Sequence, residues 1–123
     1  MMRILIVEDE IILAMNLQME LEQLGFEVIG IAKESTKALL LIEKNKPDLI
    51  LMDIVIQGNI SGIELTAIVN QKYGTPVIYG TAHRDNATIE QANKTKHYGI
   101  LFKPFQLNEL SSAINKVVDE RPS

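Results

Sequence analysis

The sequence predicts an α/β fold, a doubly wound parallel sheet of five strands with helices on both faces. Three observations indicate this fold. Short apolar runs alternate with longer segments of helical period along the whole chain. No charged residue interrupts the interior of those runs, which is typical of strands buried on both faces. Parallel neighbours also need crossover connections, and the helical segments between the runs supply them.

The first strand is predicted from Arg3 to Val7, where the run is continuously apolar after the arginine. The following segment, from Ile11 to Leu24, has apolar residues mostly at three- and four-residue spacing, which predicts a helix. Gly25 follows where a left-handed C-terminal cap is expected. The methionines of the chain are expected in the core, as is the segment Leu39–Ile42 of the next helix.

The second strand is predicted from Glu27 to Ile31 and the second helix from Ser35 to Lys46. Pro47 ends that helix, because proline disfavours helical conformation in the residue before it. The third strand is predicted from Leu49 to Met52, and it leads directly into Asp53.

A capping box marks the start of the third helix. Ser61 and Glu64 have the S-x-x-E spacing, and the helix is predicted to continue to about Lys72. The fourth strand is predicted from Pro76 to Gly80. The fourth helix, Asp85–Lys96, is polar over nearly its whole length.

The last two elements are a fifth strand over Gly99–Phe102 and an amphipathic helix over Leu107–Val118. With 123 residues the chain is expected to form one domain, 1–123, with its own core.

Composition excludes several function classes. The chain has no cysteine, which excludes disulfides, thiolate catalysis and cysteine zinc sites and fits a reducing cytoplasm. The net charge of −4 argues against direct nucleic-acid binding, which needs a basic face. No apolar stretch approaches the ~20 residues of a membrane span, and the N-terminal run is too short for a signal peptide. We therefore expect a cytoplasmic protein without membrane contact.

The most reactive side chains follow the predicted strands. Glu8 and Asp9 come after the first strand, Asp53 after the third, Thr81 after the fourth and Lys103 after the fifth. In open parallel sheets, ligands bind outside the carboxyl ends of the strands, where the strand order reverses. Clustered carboxylates beside an ammonium group suit a divalent metal ion and a phosphoryl group.

At these residues the chain resembles the receiver domain of two-component response regulators, of the chemotaxis-regulator type. The resemblance covers the chain from Arg3 to about Val118, and it is carried by four motifs in order: ILIVEDE, LILMD, VIYGTA and LFKPF. It implies a flavodoxin-like receiver fold with strand order 2-1-3-4-5, which places the first and third strands side by side. It also implies a cis peptide bond between Lys103 and Pro104.

The resemblance further implies a role for each residue. Asp53 would accept a phosphoryl group from the phosphohistidine of a histidine kinase, Thr81 would donate its hydroxyl to that group, and Lys103 would pair with it. A Mg²⁺ ion would be held by four groups: Glu8, Asp9, Asp53 and the backbone carbonyl of Val55. The protein would be a switch and not a turnover enzyme. Phosphorylation would alter the face formed by the fourth helix, fifth strand and fifth helix, which would regulate a downstream protein or output domain or drive dimerisation.

The chain departs from the family pattern at three positions. Ile100 stands three residues before Lys103, where many receivers have an aromatic residue that turns inward on activation. The loop after Asp53 lacks the common proline near Gln57, and Gly62, which opens the third helix, comes one residue later than in the commonest pattern. His83, two residues after Thr81, stands where a side chain can influence access to the phosphorylated site.

Three other functions fit the sequence less well. A flavin domain of similar topology would need a phosphate-binding loop where this chain has acidic residues, which would repel the flavin phosphate. A phosphatase of the haloacid dehalogenase type would need an aspartate at Val55. A constitutive interaction domain would not need the acidic pair, Asp53, Thr81 and Lys103. The sequence leaves open whether the receiver acts alone or belongs to a longer protein.

Overall fold

The computed structural model describes residues 2–120, and within that range five strands alternate with five helices, as predicted. The strands are β1 Arg3–Val7, β2 Glu27–Ala32, β3 Leu49–Asp53, β4 Val77–Thr81 and β5 Ile100–Phe102. The helices are α1 Ile11–Gln23, α2 Ser35–Asn45, α3 Gly62–Lys72, α4 Asn86–Asn93 and α5 Leu107–Glu120.

The strands form one parallel sheet in the order β2-β1-β3-β4-β5, which confirms the predicted order. The chain moves outward from β1 to β2 and then crosses back to β3, so the order reverses between β1 and β3. In register, Val7 lies beside Met52, and Asp53 lies beside Gly80. The carboxyl ends of the three central strands are therefore level with one another.

Alternate residues of the central strands enter two separate cores. Ile4 and Ile6 of β1 belong to a buried cluster with α1 and α5, whereas Leu5 and Val7 belong to a cluster on the opposite face. Helices α2, α3 and α4 cover that opposite face, through buried residues such as Ile42, Leu65, Val69 and Ala92. Both faces are covered, as a doubly wound parallel sheet requires.

Some element ends differ from the prediction. Asp53 and Thr81 are the last residues of their strands and do not lie beyond them. Helix α4 ends at Asn93, three residues earlier than expected. The Lys94 and Thr95 amides bond back only three residues, to Gln91 and Ala92, and the Lys96 amide then donates to Asn70 Oδ1 at 2.8 Å. Helix α5 extends to Glu120.

The predicted capping box is present and fixes the start of α3. The Glu64 amide donates to Ser61 Oγ at 3.1 Å, and the Ser61 amide donates to Glu64 Oε1 at 3.0 Å. The amide of Gly62 donates to the carbonyl of Ile54 at 2.8 Å. A Cβ atom at Gly62 would collide with the backbone carbonyl of Asp53, so this position requires glycine. The end of β3 and the start of α3 are thereby held together.

Helix α1 exposes much of its apolar surface. Ile12, Met15 and Met19 are 72%, 55% and 60% exposed, whereas Ala14 and Leu21 are fully buried against the sheet. The expectation that the methionines lie in the core is confirmed for Met2 and Met52, is wrong for Met15 and Met19, and for Met1 falls outside the described residues. Leu40 of α2 is likewise exposed. A helix on a sheet buries one face only, and both helices carry apolar residues beyond that face.

Across residues 2–120, none of the helices is long and apolar enough to cross a membrane.

Candidate functional site

Three carboxylates meet where β1 and β3 end. One oxygen each from Glu8, Asp9 and Asp53 can be chosen so that all three lie within 4.8 Å of one another. Glu8 is 5% exposed, and Asp53 is partly buried at the tip of β3. The proximity follows from the strand order, since β1 and β3 are neighbours although more than forty residues separate them.

Lys103 enters this cluster from the end of β5. Its Nζ donates a hydrogen bond to Glu8 Oε1 and a second to Asp53 Oδ2 at 3.2 Å. Burial acts to lower the pKa of Lys103, but the hydrogen bond to Glu8 and the charge of Asp53 outweigh it, and the pKa is raised. The lysine therefore keeps its proton and serves as a counter-ion to two carboxylates. The Lys103–Pro104 bond is cis, as expected.

The three carboxylates differ in how far they are already paired. Glu8 also accepts the Glu10 amide at 3.2 Å through Oε2, and Asp53 accepts the Val55 amide at 3.3 Å through Oδ1. Burial first, and then the neighbouring Glu8, raise the pKa of Asp9. A divalent cation would relieve that repulsion. Hard carboxylate oxygens at this spacing, on a partly open edge, are a donor set that fits Mg²⁺.

Thr81 lies at the end of β4 but is fully buried. Its Oγ1 accepts the backbone N–H of His83 at 3.0 Å, which leaves its own hydroxyl hydrogen free to be donated. The wall of the site beside it is formed by Ala82 and His83. The structure thus brings Glu8, Asp9, Asp53 and Lys103 together. Thr81 is buried behind the cleft wall formed by Ala82 and His83.

An open cleft of about 600 Å³ surrounds the carboxylates. Val55, whose carbonyl was predicted as a metal ligand, lines it together with His83. The sequence interpretation missed a second wall, made by one face of α1 and by the residue after the cis proline: Leu13, Asn16, Leu17, Glu20 and Phe105. The α1 residues of this wall are three or four positions apart, so they share one helix face. That spacing was the signal in the sequence from which the wall could have been predicted.

The position expected to hold an aromatic switch is Ile100, which is half-buried in the core beneath α4. A tyrosine stands directly beside it: Tyr79 of β4 is its partner in register and is fully buried. Residues paired in register lie on the same face of a sheet. An aromatic ring is therefore present in this region, but on the neighbouring strand.

Comparison with known proteins decides the family. The family model described as "Response regulator receiver domain" matches residues 4–115. The chain belongs to this family. The receiver is 33% identical over 116 residues to the transcriptional regulatory protein PdtaR of Mycobacterium tuberculosis, which covers 94% of this chain and 56% of PdtaR. It is also 33% identical over 116 residues to the phyllosphere-induced regulator PhyR of Methylorubrum extorquens, covering 94% of this chain and 43% of PhyR.

Comparison with solved structures also identifies receiver domains. The receiver is similar to the signal receiver domain of a modulated diguanylate cyclase from Desulfovibrio desulfuricans G20, with a TM-score of 0.91 and 29% identity, over 98% of this chain and 95% of that one. It is thus a module of two-component signalling, a class whose members are signalling domains and generally not turnover enzymes.

The chain spans about half the length of the curated relatives it matches. One further relative, 30% identical over 112 residues, is the DNA-binding response regulator MtrA of Mycobacterium tuberculosis, of which 48% is covered. The expectation that this chain does not bind nucleic acid directly stays a prediction.

Proposed function

We propose that this receiver is a phosphorylation-dependent switch in which Asp53 accepts a phosphoryl group from the phosphohistidine of a histidine kinase. The observation that carries the proposal is the position of Lys103, whose ammonium group bonds to both Glu8 and Asp53. A cation fixed beside an acceptor carboxylate is the arrangement that phosphoryl transfer needs, because negative charge spreads over the equatorial oxygens in its transition state.

Asp53 is the nucleophile in this proposal. One of its carboxylate oxygens forms a bond to phosphorus while the bond from phosphorus to the donor nitrogen breaks, which leaves a mixed anhydride on Asp53 and releases the donor histidine. The Val55 amide and Lys103 each hold one oxygen of the Asp53 carboxylate. The nucleophile is therefore oriented before the donor arrives, which lowers the entropic part of the barrier.

Glu8, Asp9 and Asp53, together with the backbone carbonyl of Val55, would hold Mg²⁺. When bound, the ion supplies positive charge that neutralises these carboxylates and the incoming phosphoryl oxygens. Glu8 and Asp53 each already bond to Lys103 and to a backbone amide, so Asp9 has the greatest freedom to turn toward a cation. Burial and the neighbouring Glu8 raise the pKa of Asp9, and a bound cation would oppose that effect.

The signal leaves the site through Thr81 and Lys103. A phosphoryl group on Asp53 would accept the free hydroxyl hydrogen of Thr81 and would draw the charge of Lys103 away from Glu8. Both residues lead into the α4-β5-α5 face, so phosphorylation would bias this face between two states. That face would then bind a downstream protein or an output domain, or a second copy of the chain in a phosphorylation-dependent dimer. The proposal places this reaction in the cytoplasm.

The donor protein would dock on α1. The exposed side chains of Ile12, Met15 and Met19 form an apolar stripe on a helix whose next face, including Leu13 and Asn16, lines the Asp53 cleft. A patch of this kind beside a reaction site is typical of a protein interface. A kinase seated there would hold its phosphohistidine over Asp53.

A sustained phosphatase activity is disfavoured by Val55. The haloacid dehalogenase type requires a second carboxylate two residues after the nucleophile, to serve as general acid. Val55 lies on the wall of the cleft and is half-exposed, so no proton donor occupies that place.

The test is phosphorylation by a small acyl phosphate, followed by intact mass measurement at several Mg²⁺ concentrations. The wild-type chain should gain one phosphoryl group only when Mg²⁺ is present, and Asp9→Asn should shift the requirement to higher Mg²⁺. A matched variant, Asp119→Asn, removes an exposed acid from α5 and should behave like wild type. Modification that is independent of Mg²⁺ and of Asp9 would refute the proposal.

A further inference from the structure

Helix α4 is held at its C-terminal end by contacts from other elements. The side-chain amide of Asn70, on α3, donates to the Lys96 carbonyl at 3.1 Å and accepts the Lys96 amide at 2.8 Å. Ala92 is fully buried in the core, and the Tyr98 amide donates to the Val77 carbonyl at 2.8 Å. The last turn of α4 and the segment after it are thus attached to both α3 and β4.

A further attachment is made by the hydroxyl of Tyr79, a residue of β4 that is fully buried. The hydroxyl lies 2.7 Å from Thr95 Oγ1, which itself donates to the Ala92 carbonyl at 2.6 Å. Threonine has one hydroxyl hydrogen, and the bond to Ala92 uses it, so Tyr79 is the donor to Thr95. The tyrosine ring also packs against the edge of His97, with ring centroids 5.3 Å apart. A rigid side chain on the sheet is therefore bonded to Thr95, which in turn bonds to Ala92 in the last turn of α4.

The N-terminal end of α4 has weaker attachments. Asp85 caps the helix locally through the Thr88 amide at 3.0 Å, and Ala87 is exposed. The guanidinium of Arg84 lies 4.7 Å above the Phe102 ring, on the surface. A groove of about 450 Å³ separates this end from the loop after β3, with apolar side chains along its wall: Ile54, Val55, Ile56, Ile60 and Ile63. The first turns of α4 have space to move inward.

The weakly held end is the one connected to the phosphorylation site. Thr81 Oγ1 accepts the His83 amide, and His83 lies two residues before the Asp85 cap. Thr81 and Tyr79 are two residues apart on β4, so their side chains lie on the same face of the sheet. A displacement of the Thr81 hydroxyl would carry His83 and the start of α4 with it, while Tyr79 keeps the far end in place.

We propose that Tyr79 is the pivot of α4. Phosphorylation swings the N-terminal turns of the helix toward the groove about a C-terminal end fixed by the Tyr79–Thr95 hydrogen bond. Tyr79 is a positioning residue in this scheme, and it does not touch the phosphoryl group. The inference rests on the proposed function, and it assigns the aromatic part of the switch to a fixed tyrosine on β4 in a chain that has Ile100 on β5.

The experiment is amide hydrogen exchange on the full chain, with and without beryllofluoride as the phosphoryl mimic. In wild type, beryllofluoride should alter exchange at residues 82–89 and leave residues 94–98 unchanged. Tyr79→Phe keeps the ring but removes the hydroxyl, so residues 94–98 should exchange about fivefold faster, the factor given by the ~1 kcal/mol net value of one hydrogen bond. In that variant beryllofluoride should now alter residues 94–98 as well.

Two further variants make the result specific. Thr95→Val removes the acceptor and should reproduce the Tyr79→Phe pattern, whereas Tyr73→Phe, at an exposed tyrosine, should leave the wild-type pattern unchanged. The pivot is overturned if Tyr79→Phe and Tyr73→Phe give the same exchange in both states. If beryllofluoride fails to alter even residues 53–58 of wild type, the proposed phosphorylation itself is wrong. These two failures are therefore separate observations.

Discussion

At the scale of single residues, the site depends on where the ammonium group of Lys103 lies. It bonds to Glu8 and Asp53, and it occupies the region between the carboxylates that a metal ion would also favour. If Mg²⁺ binds as proposed, the lysine and the ion would both neutralise these carboxylates. They would compete until a phosphoryl group arrives, and afterwards both would have an anion to contact.

Replacing Lys103 with methionine should separate these two effects. Without the competing ammonium group, Mg²⁺ should bind more tightly, which a titration followed by thermal unfolding would measure. Phosphorylation by an acyl phosphate should nevertheless slow by about 100-fold, the usual cost of losing one preorganised charge in a transition state. Lys116→Met removes an exposed lysine from α5 and is the control. Unchanged Mg²⁺ affinity in Lys103→Met would contradict the competition.

His97 makes the stability of the molecule depend on pH. Its Nδ1 accepts the Gly99 amide at 3.0 Å, and its Nε2 lies 2.8 Å from Asn93 Oδ1, an arrangement that fits only the neutral ring with hydrogen on Nε2. Burial lowers the pKa of His97, because it disfavours the charged ring. Between the lowered pKa and the ordinary value of about 6.5, the unfolded chain binds more protons than the folded one.

The free energy of unfolding should therefore fall as the pH drops below about 6.5 and through the folded-state pKa of His97. Urea unfolding of wild type and of His97→Asn, at a series of pH values from neutral to acidic, measures the difference. Stability should fall less steeply in the variant, and His83→Asn, at an exposed histidine, is the control. Equal pH dependence in wild type and His97→Asn would show that the His97 ring does not contribute.

At the scale of elements, two faces of α1 differ in their contacts. Ala14 and Leu21 attach it to the sheet, and the opposite stripe of Ile12, Met15 and Met19 is exposed. The sequence predicted the helix but assigned its methionines to the core, because a helix with apolar residues on several faces does not reveal by periodicity which face is buried. The exposure of these methionines is itself informative, since an exposed apolar stripe is typical of a binding surface.

Changing Met15 and Met19 together to lysine should impair docking and leave the chemistry intact. Phosphotransfer from a phosphorylated histidine kinase should slow about tenfold or more, the effect of losing ~1.4 kcal/mol or more at an interface. Phosphorylation by a small acyl phosphate should keep its wild-type rate. Leu40→Lys, at an exposed leucine on α2, should alter neither reaction. A loss of both reactions in the double variant would mean that the site, and not the docking, was damaged.

The loop after Asp53 is held by the start of α2. Its Gln57 carbonyl accepts the Ser35 amide at 3.1 Å, and Gly58, with φ of +110°, packs so closely that an added Cβ would lie 2.5 Å from Ser35 Oγ. This contact fixes the middle of the loop between Val55 and Gly62. It also sets the path of Val55, the predicted carbonyl ligand.

Gly58→Ala should consequently weaken both the fold and Mg²⁺ binding. Gly25→Ala is a matched control, because Gly25 also has positive φ, +92°, but nothing lies within 4 Å of its added Cβ. Both variants should lose about 1–3 kcal/mol of unfolding free energy to backbone strain. Gly58→Ala should lose more through the clash, and it alone should bind Mg²⁺ more weakly, as titration would measure. Equal Mg²⁺ affinities in the two variants would show that this loop does not set the metal site.

At the scale of the whole molecule, most of the fold could be predicted from local patterns. Apolar runs located every strand within one or two residues, and the Ser61–Glu64 pair located the start of α3. What the sequence could not provide were contacts between residues distant in the chain. The Asn70 side chain bonds to Lys96 just after the early end of α4, and the pairing of Tyr79 with Ile100 put an aromatic ring on an unexpected strand.

The candidate site was predictable for a related reason. A parallel sheet gathers the carboxyl ends of its strands at one edge, so residues at those ends become neighbours whatever their separation in sequence. Glu8, Asp53 and Lys103 follow that rule. The burial of Thr81 behind the cleft does not follow from it, because burial depends on how the loop from His83 folds back over the strand end.

The central claim is that Asp53 receives the phosphoryl group. The most direct measurement is borohydride reduction of the chain after phosphorylation by an acyl phosphate in Mg²⁺, which converts an aspartyl-phosphate into homoserine, followed by peptide mass mapping. Homoserine is expected at residue 53 in wild type and at no position in Asp53→Asn. Homoserine at another aspartate, or no conversion in wild type, would contradict it.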